Sequence, residues 1–246
     1  MKKFDIIWAA VLGVCLWQLV VWVTGAPHFI LPSPWRVVQM GYTSRALIAE
    51  HAWVTVLEVV LGLVIGSVLG IVSAIVLAAS ALCRRLFLPI LVFSQAIPVF
   101  ALAPILTLWF GYGIGSKIVM TVLIIYFPVT SAFHDGLART PRGMLDLAEV
   151  MGARDWRVMW RIRVPAALPA LGSGLKLAAV YAPIGAVIGE WVGASRGLGY
   201  LMLLANGRAK IDLMFACLIV LAIFAICLHA LVGRFADYLD GYSKRG

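Results

Sequence analysis

Long apolar runs constrain this sequence more than any other feature. Six of them fall at about 5–24, 52–80, 86–110, 117–136, 167–192 and 212–236. A helix that crosses a bilayer needs about 20 mostly apolar residues, so each run reads as one transmembrane span. The alternating ten-residue strands of a barrel do not fit runs of this length. Composition agrees: of 246 residues 63% are hydrophobic and only 13% charged, against about 25% charged in a soluble domain. The expected class is an all-α, multi-pass membrane protein with a single domain over 1–246 and its core at 52–236.

An even number of spans puts both termini on one side, and the basic residues choose the side. With the N-terminus inside, thirteen of the 20 Lys and Arg lie in cytoplasmic segments and six outside, Lys176 falling within a span. Positive charge concentrates on the cytoplasmic side of membrane proteins, so the expected topology is N-in, C-in. The net charge of +9 is thereby a matter of topology, and no nucleic-acid partner is implied. Lys2 and Lys3 before the first run resemble a signal peptide, but no small-residue cleavage site follows, which favours a retained anchor. Asp5, Trp8 and Trp22 mark the ends of that span. Outside, "LPSPWRVVQ" predicts a short amphipathic helix capped by Ser33 with Pro34 in its first turn. Cys15, Cys83, Cys217 and Cys227 are too scattered for a metal or disulfide framework and read as small core or lipid-facing side chains.

The longest inner loop, 138–166, carries the richest pattern. Thr140 and Pro141 suit an N-cap and first turn. Met144, Leu147, Ala148 and Met151 then fall at i, i+3, i+4 and i+7, one apolar stripe of a short helix, with Arg142, Asp146 and Glu149 on the other side. Gly152 stands where a left-handed C′ residue would end it. A second short helix follows, with Trp156, Met159 and Trp160 on one face and Pro165 and Pro169 bracketing the next span. Periodicity alone leaves open a simple interfacial anchor.

Asp146-Leu147-Ala148, then Gly152, then Val164-Pro165 and "AALPAL" resemble the signature cytoplasmic loop of binding-protein-dependent ABC importer permeases. Asp stands for the usual Glu, and Leu147 for an Ala. "SQAIPVFALAPILTLWFGYGIGSK", "LPSP" and "GLGY" are similar to the sulfonate, nitrate and taurine branch of that family. "APIGAVIGEWVGASRGLGYLML" with "KIDLMFACL" most resembles its permeases for thiamine pyrimidine precursors such as hydroxymethylpyrimidine. The resemblance implies a type I ABC importer permease fold in the bacterial inner membrane. It also implies an ATPase-coupling role for Met144, Asp146, Leu147, Ala148, Met151 and Gly152. The implied partners are two ABC ATPase subunits, a second permease copy and an extracytoplasmic solute-binding protein. No cofactor is expected on this chain itself, with ATP and Mg held by the ATPase: no GxxxxGK[ST] occurs, so the chain is not expected to be an enzyme.

Gly62, Gly66 and Gly70 form a small-xxx-small row that predicts close helix packing. Charges within spans are costly and point to function. Glu58 lies a turn or two into its span, near the outer interface. Lys176 could snorkel to the inner interface. Glu190 closes the fifth span at the outer side, where an acid meets water or a partner's charges. After it, Gly193, Gly197 and Gly199 allow a turn, with Tyr200–Leu204 as a half-buried stretch of the outer mouth. Pro98, Pro104 and Pro183 would each free a carbonyl, which membrane helices tolerate where they line a cavity. The third and fifth spans, with Ser94, Gln95, Tyr181 and Glu190, are therefore the substrate-path candidates. No metal site is expected. An anionic cargo (alkylsulfonate, taurine or nitrate) is the alternative, but it would favour a basic path. A stand-alone secondary transporter or channel is the other alternative, although no half-to-half repeat is visible.

Overall fold

The computed structural model describes residues 3–243, with the side chains at 3–7, 9, 10 and 243 outside the description. Eleven helices follow one another among these residues, and no strand occurs. They are α1 (Lys3–Thr24), α2 (Pro34–Thr43), α3 (Arg45–Ala79), α4 (Ala81–Ser94), α5 (Val99–Phe110), α6 (Ile114–Ala138), α7 (Arg142–Val150), α8 (Asp155–Val158), α9 (Val164–Gly193), α10 (Leu198–Gly207) and α11 (Ile211–Ser243). Among the described residues, α3, α6, α8–α9 and α11 are long and apolar enough to cross a membrane, and the bent pair α4–α5 could make one more. The first expected span is helical, but Asp5 lies among its undescribed side chains.

α6 is the central post, pressed between α3 and α9. The row Gly62, Gly66, Gly70 lies against Thr121, Ile125 and Val129 of α6. A Cβ at Gly62 would stand 2.5 Å from Thr121, and one at Gly66 2.7 Å from Ile125. On the opposite side Gly185 faces the Thr121 backbone and Gly174 faces the Pro128 carbonyl and Val129. Backbones this close gain dispersion contacts that lipid cannot match, which is why small residues drive helix association in bilayers. Val59, Ile125, Val129, Phe133, Ala178 and Ala182 fill the shared core. A second core gathers Val37 of α2 and Ile48 of α3 with Leu201 of α10 and Cys217 of α11.

The third expected span, 86–110, is not one helix. α4 and α5 meet at a 99° bend. Pro98, the N-cap of α5, lacks the N–H that a continuing helix would need at that point, and residues 95–98 leave the helix altogether. No residue of α4 is buried in the chain.

α8 runs into α9 through a single wide turn, Met159–Arg163, whose closing bond goes from the Val164 N–H to the Met159 carbonyl. Pro165 has no N–H to offer the Arg161 carbonyl, so the turn widens. The extra residue rotates the faces. Met159 is buried while Trp156 and Trp160 stay exposed in an edge-to-face pair, so these three do not share the one face expected of them. Pro165 and Pro169 lie within α9 and do not bracket its start. Lys176 does not snorkel freely. It donates to Asp237 of α11 at 2.8 Å.

Candidate functional site

The first of three candidate places surrounds Glu190. Its residue is 1% exposed, so it does not face water as an outer-mouth acid would. The expected half-buried stretch 200–204 is part of a true helix, α10, whose N-cap Gly197 sits at φ 114°. The first N–H groups of any helix lack intrahelical partners. Here each one finds a side chain. The Gly197 N–H donates to His51 Nδ1 at 3.0 Å and the Leu198 N–H to Thr55 Oγ1 at 2.8 Å. The Gly199 N–H donates to Glu190 Oε2, and the Tyr200 N–H reaches the same oxygen at 3.4 Å. Thr55 passes its own proton to Glu190 Oε1 at 2.6 Å. The same His51 Nδ1 lies 3.1 Å from the Gly197 carbonyl oxygen, and the ring stacks on Tyr200 at 5.8 Å. A carboxylate at a helix N-terminus also meets the positive end of the helix dipole.

The same knot takes in two more ionisable side chains. Glu58, 2% exposed, faces Glu190 from one turn further along α3, so His51, Thr55 and Glu58 line one stripe of that helix. Lys117, counted by sequence among the outer basic residues, is 1% exposed. Its ammonium donates to the carbonyls of Tyr112 at 2.9 Å and of Gly193, and to Ser116 Oγ at 3.2 Å. A Cβ at Gly189 would stand 3.2 Å from the Lys117 Cα, so glycine there lets α9 pass close to α6. Sequence did not single out Lys117, His51 or Thr55. Their spacing on α3 and α6 was legible, but the α10 partners of His51 and Thr55 lie some 140 residues on, and the Gly193 carbonyl that Lys117 reaches lies 76 residues on.

The second place is a cavity of about 530 Å³ lined by Gln95, Val99, Ile124, Phe127, Pro128, Ser131, Leu177 and Tyr181, among others. Two of the four path candidates, Gln95 and Tyr181, therefore share one wall-lined space. Ser94 lies beside it, accepting from Gln95 Nε2 at 3.2 Å. Glu190 belongs to the knot and not to this cavity. Sequence reasoning missed Ser131, Phe127 and Pro128. Pro128 sits inside α6 and leaves the Ile124 carbonyl without its helical donor, and the proline criterion that picked out Pro98 and Pro183 would have found it. No charged side chain lines this cavity.

The third place is the loop 138–166. α7 ends as a Schellman motif: the Ala153 N–H donates to Ala148 O and the Gly152 N–H to Glu149 O, both at 2.9 Å, with Gly152 at φ 70°. Its start differs from expectation. Pro141 occupies the N-cap, and the Thr140 hydroxyl turns back to the Leu137 carbonyl at 3.0 Å. The stripe also splits. Ala148 packs against the body, whereas Met144, Leu147, Val150 and Met151 are exposed beside Asp146 and Gly152. An apolar row in the open on one short helix is a ready-made anchor for a groove.

A three-sided core of close-packed helices with a broken span, a sealed hairpin and a projecting loop helix defines a membrane permease domain. Residues 66–241 match the family described as binding-protein-dependent transport system inner membrane component, and the chain belongs to that family. A probable ABC transporter permease protein of Haemophilus influenzae is 53% identical over 89% of this chain and 90% of its own length. The formylaminopyrimidine transport permease protein ThiX of Halalkalibacterium halodurans is 36% identical over 94% of this chain and 92% of its own. The riboflavin transport system permease protein RibX of Chloroflexus aurantiacus is 37% identical over 88% and 82%. Among solved structures, the MetNI methionine ABC transporter in inward-facing conformations superposes with a TM-score of 0.71 at 19% identity. That match covers 80% of this chain and 98% of that one. The fold is thus that of a type I ABC importer permease, and the chain is a multi-pass inner-membrane transport subunit. Membership in this family sets aside the stand-alone transporter.

Proposed function

We propose that this permease subunit passes a small, neutral nitrogen heterocycle, a thiamine pyrimidine precursor, from an extracytoplasmic binding protein to the cytoplasm. Two copies form the path in this reading, and two ATPase subunits, which hold ATP and Mg, dock beneath them. Met144, Leu147 and Met151 enter the ATPase groove while Asp146 stays at its rim. Gly152 lets the chain turn away without a side chain in the contact. Closing of the ATPase pair moves α7, and the path switches between its inward-open and outward-open states.

The observation that carries the cargo assignment is the cavity of Gln95, Phe127, Ser131 and Tyr181. Its aromatic faces suit a flat ring, and its amide and hydroxyls suit ring nitrogens and amino groups. An alkylsulfonate, taurine or nitrate would want a cation there. Lys176, the one basic residue sequence had left in a span, is engaged by Asp237. The names of the ThiX and RibX relatives, both for heterocycle transport, support the same class.

The test is a mild-detergent pull-down of tagged wild type beside Gly152→Asp, followed by titration of the co-purified binding protein with hydroxymethylpyrimidine, formylaminopyrimidine and taurine. Recovery of an ATPase with wild type alone, and binding of the pyrimidines alone, is the expected result. An ATPase that comes down equally with both forms removes α7 as the coupling element. Preference for taurine removes the heterocycle.

A further inference from the structure

We propose that the cleft between the far end of α3, the start of α4 and α8 is a site for the phosphate headgroup of an anionic phospholipid, with an acyl chain laid along α4. The cleft, about 550 Å³, lies at the opposite end of α3 from Glu58. Ile75, Ala78, Val158 and Met159 floor it, and Arg84, Arg163, Asp155 and Trp156 stand at its walls.

Among the described residues the side chains of these arginines have no hydrogen-bonded or ion-paired partner. Arg163 Nε is buried with no hydrogen bond, and among the described residues neither Arg84 nor Arg163 forms an ion pair. Asp155 lines the cleft too but is bonded to neither. A guanidinium cannot shed its charge, and a buried donor without an acceptor is costly. An oxyanion with several acceptor atoms answers both demands, and the planar fork of arginine matches phosphate.

The shape says which phosphate. Ala81 and Arg84 also open a second trough, about 830 Å³, that continues past Arg85 to Leu88, Pro89, Val92 and Phe93. These positions form one stripe of α4, charged in its first turn and apolar for the next two, a length of about 12 Å at 1.5 Å per residue. Charge at one end and grease at the other is the profile of a lipid and not of a free anion. The exposed Trp156–Trp160 pair beside the cleft has the amphipathic character of residues at a membrane interface. The basic-residue distribution assigns this end to the cytoplasmic leaflet, where anionic lipids attract clustered arginines.

The experiment is native mass spectrometry of the full chain in mild detergent, titrated with phosphatidylglycerol and with phosphatidylethanolamine of the same acyl chains. Wild type is expected to prefer phosphatidylglycerol. Arg84→Gln and Arg163→Gln should each weaken that binding roughly fivefold, while Arg142→Gln, on α7 outside the cleft, should not. Because a variant could fail to fold, thermal melting of wild type with each lipid gives an independent reading, with stabilisation expected from phosphatidylglycerol alone. Equal binding of the two lipids, or an equal loss in Arg142→Gln, overturns the site. So does displacement of the lipid by millimolar inorganic phosphate, which would make it a free-anion site. Loss of the lipid preference when the ATPase is bound would give the cleft to a protein contact and overturn it as well.

Discussion

Two glycines with left-handed backbones mark two regions that the fold handles in opposite ways. Gly197, at φ 114°, opens α10, and a Cβ there would fall on the Glu190 carboxylate. Gly152, at φ 70°, closes α7, and a Cβ there would meet nothing within 4 Å. Around Gly197 the α10 N–H groups, Glu190 and the buried ammonium of Lys117 are engaged by neighbouring groups, and Glu58 Oε2 alone of this knot has no hydrogen-bond partner. Around Gly152 the backbone is complete, yet the apolar side chains Met144, Leu147, Val150 and Met151 point away from the chain. The first region meets most of its contacts internally, and the second leaves an apolar row exposed, which the proposed function assigns to the ATPase. A transport subunit needs both, a fixed frame at one end and an open handle at the other.

The sharpest way to break this comparison is Glu190→Ala. It strands the Gly199 and Tyr200 N–H groups and leaves buried Lys117 with one acid fewer. Removing one partner of a buried charged network costs about 3–5 kcal/mol, so thermal melting in detergent should fall steeply. A loss below about 1 kcal/mol would mean that the hairpin is not held by its side-chain knot. Next comes the glycine pair itself. Gly152→Ala should cost only left-handed strain, about 1–2 kcal/mol. Gly197→Ala should add about 1–3 kcal/mol of overpacking against Glu190. Equal melting shifts for the two variants would erase the distinction between the sealed and open ends.

Between the two regions runs the glycine row. Gly62→Ala places a Cβ against the branched carbon of Thr121, which has no flexible end to give way, and should cost about 1–3 kcal/mol by the same melting assay. The exposed pair Lys176–Asp237 should matter less. Lys176→Gln is expected to change stability by about 0–1 kcal/mol, and less still in high salt. Smallest on stability is Leu147→Asp, within about 0.5 kcal/mol as for other surface changes. The same variant should nonetheless abolish recovery of the ATPase in a pull-down. If it melts far below wild type, α7 is packed more firmly than its exposure indicates.

Much of this was legible along the chain because it rests on local rules. Gly152 ends α7 through bonds that span five residues, and spacing alone places Met144, Leu147 and Met151 on one helix. Gly62, Gly66 and Gly70 recur every four residues, which puts them on one face whatever they touch. The broken third span was legible in part. Pro98 announced a lost donor, but a 99° turn follows from how α5 packs on α6 and α9. Ala148 was placed in the stripe by periodicity, yet the body of the protein covers it. Pro128 was legible by the proline rule and was overlooked.

By itself the sequence determined that the chain is helical, that it belongs in a membrane, and that its longest inner loop carries a short amphipathic helix, since hydropathy and helical period are properties of neighbouring residues. Only the tertiary structure decided what the charges do. Glu190 caps a helix, Lys117 is buried and Lys176 is paired because α3, α6, α9 and α11 come together. A charged side chain's environment is set by whichever distant elements pack against it, and no local pattern encodes that.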